Sequence, residues 1–146
     1  MNEVDLSCDY IGLDIVPELI SHNTERYARP GRSFHLIDAT TCFLPAADAI
    51  LCREMLFHLS FEDIGRVIAN VKCSGARFLV ATNDEGLSLN ADILSGDFRL
   101  LNLKKAPFFF PEPLTAMPDN RVSPDRTLSV WDVSSLPVGP DKLQVR

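Results

Sequence analysis

The sequence lacks every short signature that would name a chemistry outright. It contains no G-x-x-x-x-G-K phosphate loop, no G-x-S-x-G nucleophile elbow and no H-E-x-x-H zinc motif. Its seven glycines lie too far apart to form a phosphate cradle. The four cysteines, Cys8, Cys42, Cys52 and Cys73, form no C-x-x-C pair and have no histidine at zinc-ligand spacing, which argues against a metal centre and against a disulfide framework. Cys52 and Cys73 sit in apolar patterns and are expected to be small core residues. No basic segment followed by an apolar one opens the chain, and no apolar run approaches the roughly 20 residues of a membrane span. Positive charge is short as well: 14 Lys and Arg face 20 Asp and Glu, a formal net charge of -6. A nucleic-acid-binding surface needs the opposite sign. These absences leave a reduced, cytoplasmic protein whose partner is a small molecule or another protein, with no nucleic acid and no membrane.

What is present is a chain of 146 residues with 46% hydrophobic content, enough for one domain with a core. Tyr10–Ile15 reads as a strand. Pro17 suits a first helical position, Glu18 favours the positive end of the helix dipole, and Leu19, Ile20, Asn23 and Tyr27 follow at helical spacing until Pro30-Gly31. Ser33–Ile37 is a second strand, and Asp48–Cys52 a third, its continuous apolar run predicting burial on both faces. Ser60 caps a helix with Asp63 three residues on, and Ile64, Val67, Ile68 and Val71 form one apolar stripe that Gly75 closes. Phe78–Ala81 is the fourth strand, ending in Thr82 and Asn83. This alternation predicts βαβ units and a parallel sheet.

Beyond Asn83 the texture changes. Asn83–Gly96 is a polar loop, and four prolines between 107 and 118 exclude a helix or a central strand there. Phe108-Phe109-Phe110 within that stretch is either a lid or apolar cover over a sheet edge. Thr127–Val133 alternates and reads as a late antiparallel strand, with Trp131 expected in the core.

In open parallel sheets, ligands bind outside the carboxyl ends of the strands. Asp14 ends the first strand, Asp38-Ala39 the second, Arg53-Glu54 the third and Thr82-Asn83 the fourth. Two acids at successive strand ends suit a ribose diol and an adenine amino group, both hydrogen-bond donors. Aspartate is also a common turn residue. Arg53 and Glu54 could anchor a charged ligand end, or pair with each other or with neighbours. His58 could act as a general base, or pack between Phe57 and Leu59. His22 and His35 are read as structural.

Taken in order, YIGLDIVPELI, FHLIDAT, LPAADAILCREMLFHLS, ARFLVATN, FFFPEPL and LSVWDV resemble class I S-adenosylmethionine-dependent methyltransferases, in particular a bacterial small-molecule type, over about Asp5–Leu136. The resemblance implies an α/β, Rossmann-like fold with a mostly parallel sheet in a single domain, 1–146. Cofactor-side βα units would occupy 5–83, C-terminal loops and a late strand 84–136, and a tail 137–146. It further implies S-adenosylmethionine as cofactor, with Asp14 on the ribose, Ile15 beside the adenine, Asp38 at the adenine amino group and Ala39 next to it. Cys52, Arg53 and Glu54 would flank the methionine part and the substrate, with Glu54 and His58 the catalytic candidates. Methyl transfer often needs little beyond alignment of the nucleophile with the methyl group.

One departure stands out. The family's first strand and its glycine-rich turn should precede Asp14, where this sequence has only MNEVDLSCDYIGL, so the chain looks N-terminally truncated. That strand lies mid-sheet in the family's order, three-two-one-four-five-seven-six. Its loss would force its neighbours to pair with each other, leave backbone unpaired or recruit another chain, which makes self-association an expectation. Two other readings stay open: a non-catalytic methyltransferase-like interaction module, and an NAD-dependent enzyme, against which Asp38 weighs.

Overall fold

The structure is a computed structural model that describes residues 7–119 and 123–137. The chain divides into two compact units, Met1–Cys42 and Phe43–Arg146, taken here in turn. The expected tail beyond Pro137 and the first residues of the cofactor-side stretch lie outside the described residues.

The first unit is β1 (Tyr10–Asp14), α1 (Pro17–Tyr27) and β2 (Arg32–Leu36). Pro17 starts α1 as the sequence predicts, with Glu18 in the first turn and Arg26 in the last, each charge opposing the helix dipole. The strands pair in parallel, from Tyr10 opposite Arg32 to Asp14 opposite Leu36. Gly12 is required by packing: a Cβ there would meet Phe34 Cδ1 at 2.5 Å. No residue of α1 is buried, and Leu19 is 48% exposed.

The second unit contains β3 (Ala49–Cys52), a 3-10 turn at Met55–His58, α2 (Phe61–Cys73), β4 (Phe78–Asp84), β5 (Thr115–Pro118), β6 (Arg126–Asp132) and a 3-10 turn at Val133–Ser135. Ser60 caps α2 by accepting the Asp63 N–H at 3.2 Å. The predicted stripe, Ile64, Val67, Ile68 and Val71, is buried together with Leu56, Phe57, Leu79 and Ala81. Trp131 is also buried, its indole N–H donating to the Pro111 carbonyl at 2.8 Å and its ring meeting Phe110 edge-on. Phe108 and Phe110 are cover for this core, whereas Phe109 is 67% exposed.

The sheet order is β3-β4-β6-β5. β3 and β4 run parallel, while β6 is antiparallel to both β4 and β5. The predominantly parallel sheet expected from the sequence is therefore a mixed one. The cause is the hairpin between β5 and β6, closed by the Asp119 N–H on the Arg126 carbonyl at 2.9 Å; so short a connection can only return antiparallel. β5 is a strand in the proline-rich stretch, and it forms there because it is an edge, paired on one side only.

Two further expectations are corrected. The apolar run of β3 is not buried on both faces: Leu51 is 59% exposed and only Cys52 is buried, because successive side chains point to opposite faces and the face that carries Ala49 and Leu51 is uncovered. Cys73, the last residue of α2, is exposed and not in the core.

The order within each sheet, β2-β1 and β3-β4-β6-β5, matches the runs three-two and four-five-seven-six that flank strand one in the methyltransferase order. No described helix is long and apolar enough to cross a membrane.

These burials set a contrast that urea denaturation reads directly. Ile64→Ala, at a site with no exposed surface, is expected to lose about 2–5 kcal/mol. Leu19→Ala on the exposed α1 is expected to stay within about 0.5 kcal/mol of the parent.

Candidate functional site

Because β1 and β2 are parallel, their carboxyl ends share one edge. There the Ile37 N–H donates to the Asp14 carbonyl at 3.0 Å, which sets Asp38 one residue beyond the last rung. Asp14 Oδ1 accepts the Val16 N–H at 2.9 Å and thereby fixes the entry into α1, whose own cap, Val16, has no side-chain acceptor. Asp38 Oδ1 accepts from the Thr40 amide at 2.8 Å and the Thr40 hydroxyl at 2.7 Å, while its carbonyl takes the Thr41 and Cys42 amides. The Thr40 hydroxyl first, then the Thr40 amide, hold the Asp38 carboxyl below the ordinary aspartate range. Both acids thus do the turn-forming work that aspartates commonly do at strand ends. A carboxylate offers about four lone-pair positions, so these bonds orient the two acceptors without exhausting them. Ile15, the next residue, is 67% exposed, and Ala39 is half-buried. A cleft of about 150 Å³ beside Asp14 is lined by Gly12, Ile20, Asn23 and Phe34. It is smaller than the roughly 300 Å³ at which ligand pockets begin.

In the second unit, Cys52 ends β3. Its burial pushes the thiol up to about 12, so it is a neutral thiol near pH 7 and no nucleophile. Arg53 and Glu54, for which the sequence left several partners open, do not pair with each other. Arg53 grips Asp119 with its Nε–Nη2 edge at 3.0–3.2 Å. Glu54 has a left-handed backbone with φ of 60°, uncommon outside glycine. Its amide donates to Thr82 Oγ1 at 2.8 Å, and its carboxylate accepts from Arg126 Nη1 at 2.8 Å. Asn83, next to Thr82, accepts the Leu103 amide at 2.6 Å and donates to Glu85.

Asp119 and Arg126 close the hairpin, and sequence reasoning missed both. Asp119 left no signal. Arg126 did leave one: with period-two alternation it falls on the same face of β6 as Leu128 and Val130, an arginine in an apolar register. It is 2% exposed, with its guanidinium 5.2 Å from the centre of the Phe57 ring.

His58 is exposed. Its Nδ1 donates to the Asp97 carbonyl at 2.9 Å, and its ring tilts against Phe98. A carbonyl only accepts, so Nδ1 carries the hydrogen of the neutral ring and Nε2 is the basic nitrogen. His35 lies against Ser33, and His22 beside Tyr27.

Two measurements follow from these environments. Asp38 has a depressed folded-state pKa, so its contribution to stability is present above the unfolded-state value and is lost as pH falls through the lower folded one. Thr40→Val removes the leading cause, and carboxyl-carbon NMR titration is expected to show Asp38 moving up toward the usual aspartate range. A disulfide reagent at mildly alkaline pH is expected to label Cys8, Cys42 and Cys73, which are exposed, and to spare Cys52 until the chain unfolds.

No known family profile matches the chain, and no curated protein sequence does. Solved structures do match. Human N-acetylserotonin methyltransferase in complex with SAM superposes with a TM-score of 0.59 at 11% identity, over 86% of this chain and 40% of that one. The Burkholderia thailandensis 1,6-didemethyltoxoflavin-N1-methyltransferase, with bound 1,6-didemethyltoxoflavin and S-adenosylhomocysteine, gives 0.56 at 16% identity, over 82% and 59%. The 4+2 cyclase SpnF gives 0.52 at 18% identity, over 68% and 40%. The chain spans less than two thirds of each of these structures. What it shares with them is the Rossmann-like fold on which two of the three are methyltransferases.

Proposed function

We propose that the chain carries the cofactor-binding acids of an S-adenosylmethionine-dependent methyltransferase that acts on a small-molecule acceptor. Asp14 takes the ribose hydroxyls with Ile15 against the adenine, and Asp38 takes the adenine amino group with Ala39 beside it. The observation that carries this reading is the position of the two carboxylates at the same end of one parallel strand pair, each already oriented by a local turn. The fold likeness to methyltransferase structures supports it. Hydroxyl and amino donors match what those oxygens accept. The ribose and adenine sides therefore fit the cofactor. Gly12, two residues before Asp14, is packed inside β1 against Phe34 and is not itself open to a ligand.

S-adenosylmethionine, when bound, supplies an electrophilic methyl group. In the second unit, burial keeps Cys52 a neutral thiol. Arg53 and Glu54 are held by Asp119 and Arg126, which fixes the turn after β3. His58 keeps Nε2 free of the bond that Nδ1 makes to the Asp97 carbonyl.

A second reading, an interaction module without catalysis, draws on the edges of β1 and β3. Each has one strand partner among the described residues and exposes an apolar side chain, Ile11 at 40% and Leu51 at 59%, a template for pairing with another chain.

Calorimetric titration of S-adenosylmethionine into the full chain separates the two. Saturable heat is expected, and Asp14→Asn, which keeps an oxygen for the Val16 amide but removes the charge, is expected to weaken binding about tenfold or more. No heat at millimolar cofactor, together with concentration-dependent oligomers in light scattering, would favour the interaction module. Heat with NADH instead would favour the NAD-dependent enzyme.

A further inference from the structure

Pro30 and Gly31 build a two-residue turn between α1 and β2. Proline suits the first central position, and Gly31, with a φ of 76°, takes the second, where a side chain would be strained. The flanking residues exchange both backbone bonds: the Arg32 N–H donates to the Arg29 carbonyl at 2.8 Å and the Arg29 N–H to the Arg32 carbonyl at 3.1 Å. Residues opposed in this way carry their side chains on one face, so the turn sets two arginines side by side. The Tyr10 N–H donates to the Gly31 carbonyl at 2.8 Å, which draws Ser7, Cys8 and Asp9 alongside the turn.

Together these residues line a cavity of about 410 Å³, above the roughly 300 Å³ at which ligand pockets begin. It lies at the amino ends of β1 and β2, away from Asp14 and Asp38 at the carboxyl ends. Gly31 keeps its wall open, since a Cβ there would stand 2.8 Å from Asp9 Oδ1. Arg32 is only 6% exposed, and its guanidinium has no hydrogen-bond or ion-pair partner among the described residues. Burial raises the neighbouring Tyr10 hydroxyl above its ordinary range and the Arg32 charge pulls it back, so the guanidinium acts in surroundings poor in water. Arg29 is already engaged, and the open fork is therefore that of Arg32. A buried cation without a counter-charge is unfavourable, and a carboxylate meets a guanidinium fork with two parallel bonds. Two arginines against one aspartate leave the lining at +1, which a monoanion neutralises and a phosphate dianion overshoots. Asp9, as a carboxylate, only accepts, so the ligand also carries hydroxyl donors.

We propose that this cavity binds the monoanion of a polyhydroxylated carboxylic acid, that is, a sugar acid. The carboxylate sits on the Arg32 fork, and hydroxyls of the ligand donate to Asp9. Apart from Pro30, the lining side chains are polar or carry a thiol, which suits a ligand that is hydroxylated along its length. The site stands apart from the methyltransferase reading, because none of its residues belongs to the proposed cofactor site.

Cys8 supplies the readout. It is exposed and lines the cavity, whereas Cys42 and Cys73 are exposed outside the lining and serve as internal controls. The full chain, without cofactor, is labelled with the uncharged disulfide dithiodipyridine, and the rate at each cysteine is followed by peptide mass mapping. D-gluconate is expected to protect Cys8 saturably in the millimolar range and to leave Cys42 and Cys73 unchanged. Glucose, which lacks the carboxylate, and butyrate, which lacks the hydroxyls, are each expected to need at least about tenfold more for the same protection, and so is glucose 6-phosphate. Arg32→Gln, which removes the charge, is expected to abolish the protection by gluconate. No protection by gluconate, or equal slowing at all three cysteines, overturns the proposal. Equal protection by glucose 6-phosphate shows an unselective anion site, and equal protection by butyrate removes Asp9 from it; either overturns the proposal too. Should the glutamine variant fail to fold, the ligand series on the parent chain decides. A negative result leaves the cofactor titration to stand or fall separately.

Discussion

A buried strand that ends in polar residues imposes a demand on everything around it, and in this protein that strand is β4. It is paired along both edges and terminates in Thr82, Asn83 and Asp84, all buried. A buried polar group left without a partner is unfavourable by about 1–3 kcal/mol. The three together tie two segments to the same strand end. Thr82 takes the amide of Glu54, Asn83 takes the amide of Leu103, and the Asp84 amide donates to the Leu101 carbonyl. The turn after β3 and the long loop before β5 owe their positions to these bonds as much as to apolar packing. Arg126 extends the pattern from β6 by holding Glu54 from the other side.

Much of the architecture was readable because it depends on local chemistry. The stripe of α2 and its Ser60 cap lie within one stretch of a dozen residues, and the capping bond forms as the spacing predicts. Asp14 and Asp38 were visible because an acid after an apolar run marks a strand end. The partners of Arg53 and Glu54 were not, since Asp119 and Arg126 stand 66 and 72 residues away and meet them only through the hairpin of β5 and β6. The apolar run of β3 misled for a related reason. A string of apolar residues says that burial is favourable, not that a layer is there to cover each face of the strand, and Leu51 stays 59% exposed. The mixed character of the sheet was likewise hidden in the β5 segment, whose prolines disfavour a central strand but permit an edge.

Fold likeness alone does not fix the reaction. The same architecture is shared at comparable TM-scores by two methyltransferases and by a cyclase, as expected where function resides in the site and not in the scaffold. The case for methyl transfer rests on the two oriented carboxylates. Gly12 is committed to packing against Phe34 and does not itself cradle a ligand.

The central claim is that Asp14 and Asp38 hold an adenosyl group, and backbone NMR under titration with S-adenosylhomocysteine tests it most directly. The account predicts saturable shifts centred on the amides of Ile15, Val16, Ala39 and Thr40, next to the two carboxylates. Spectra that stay unchanged at these four amides under millimolar ligand would contradict it.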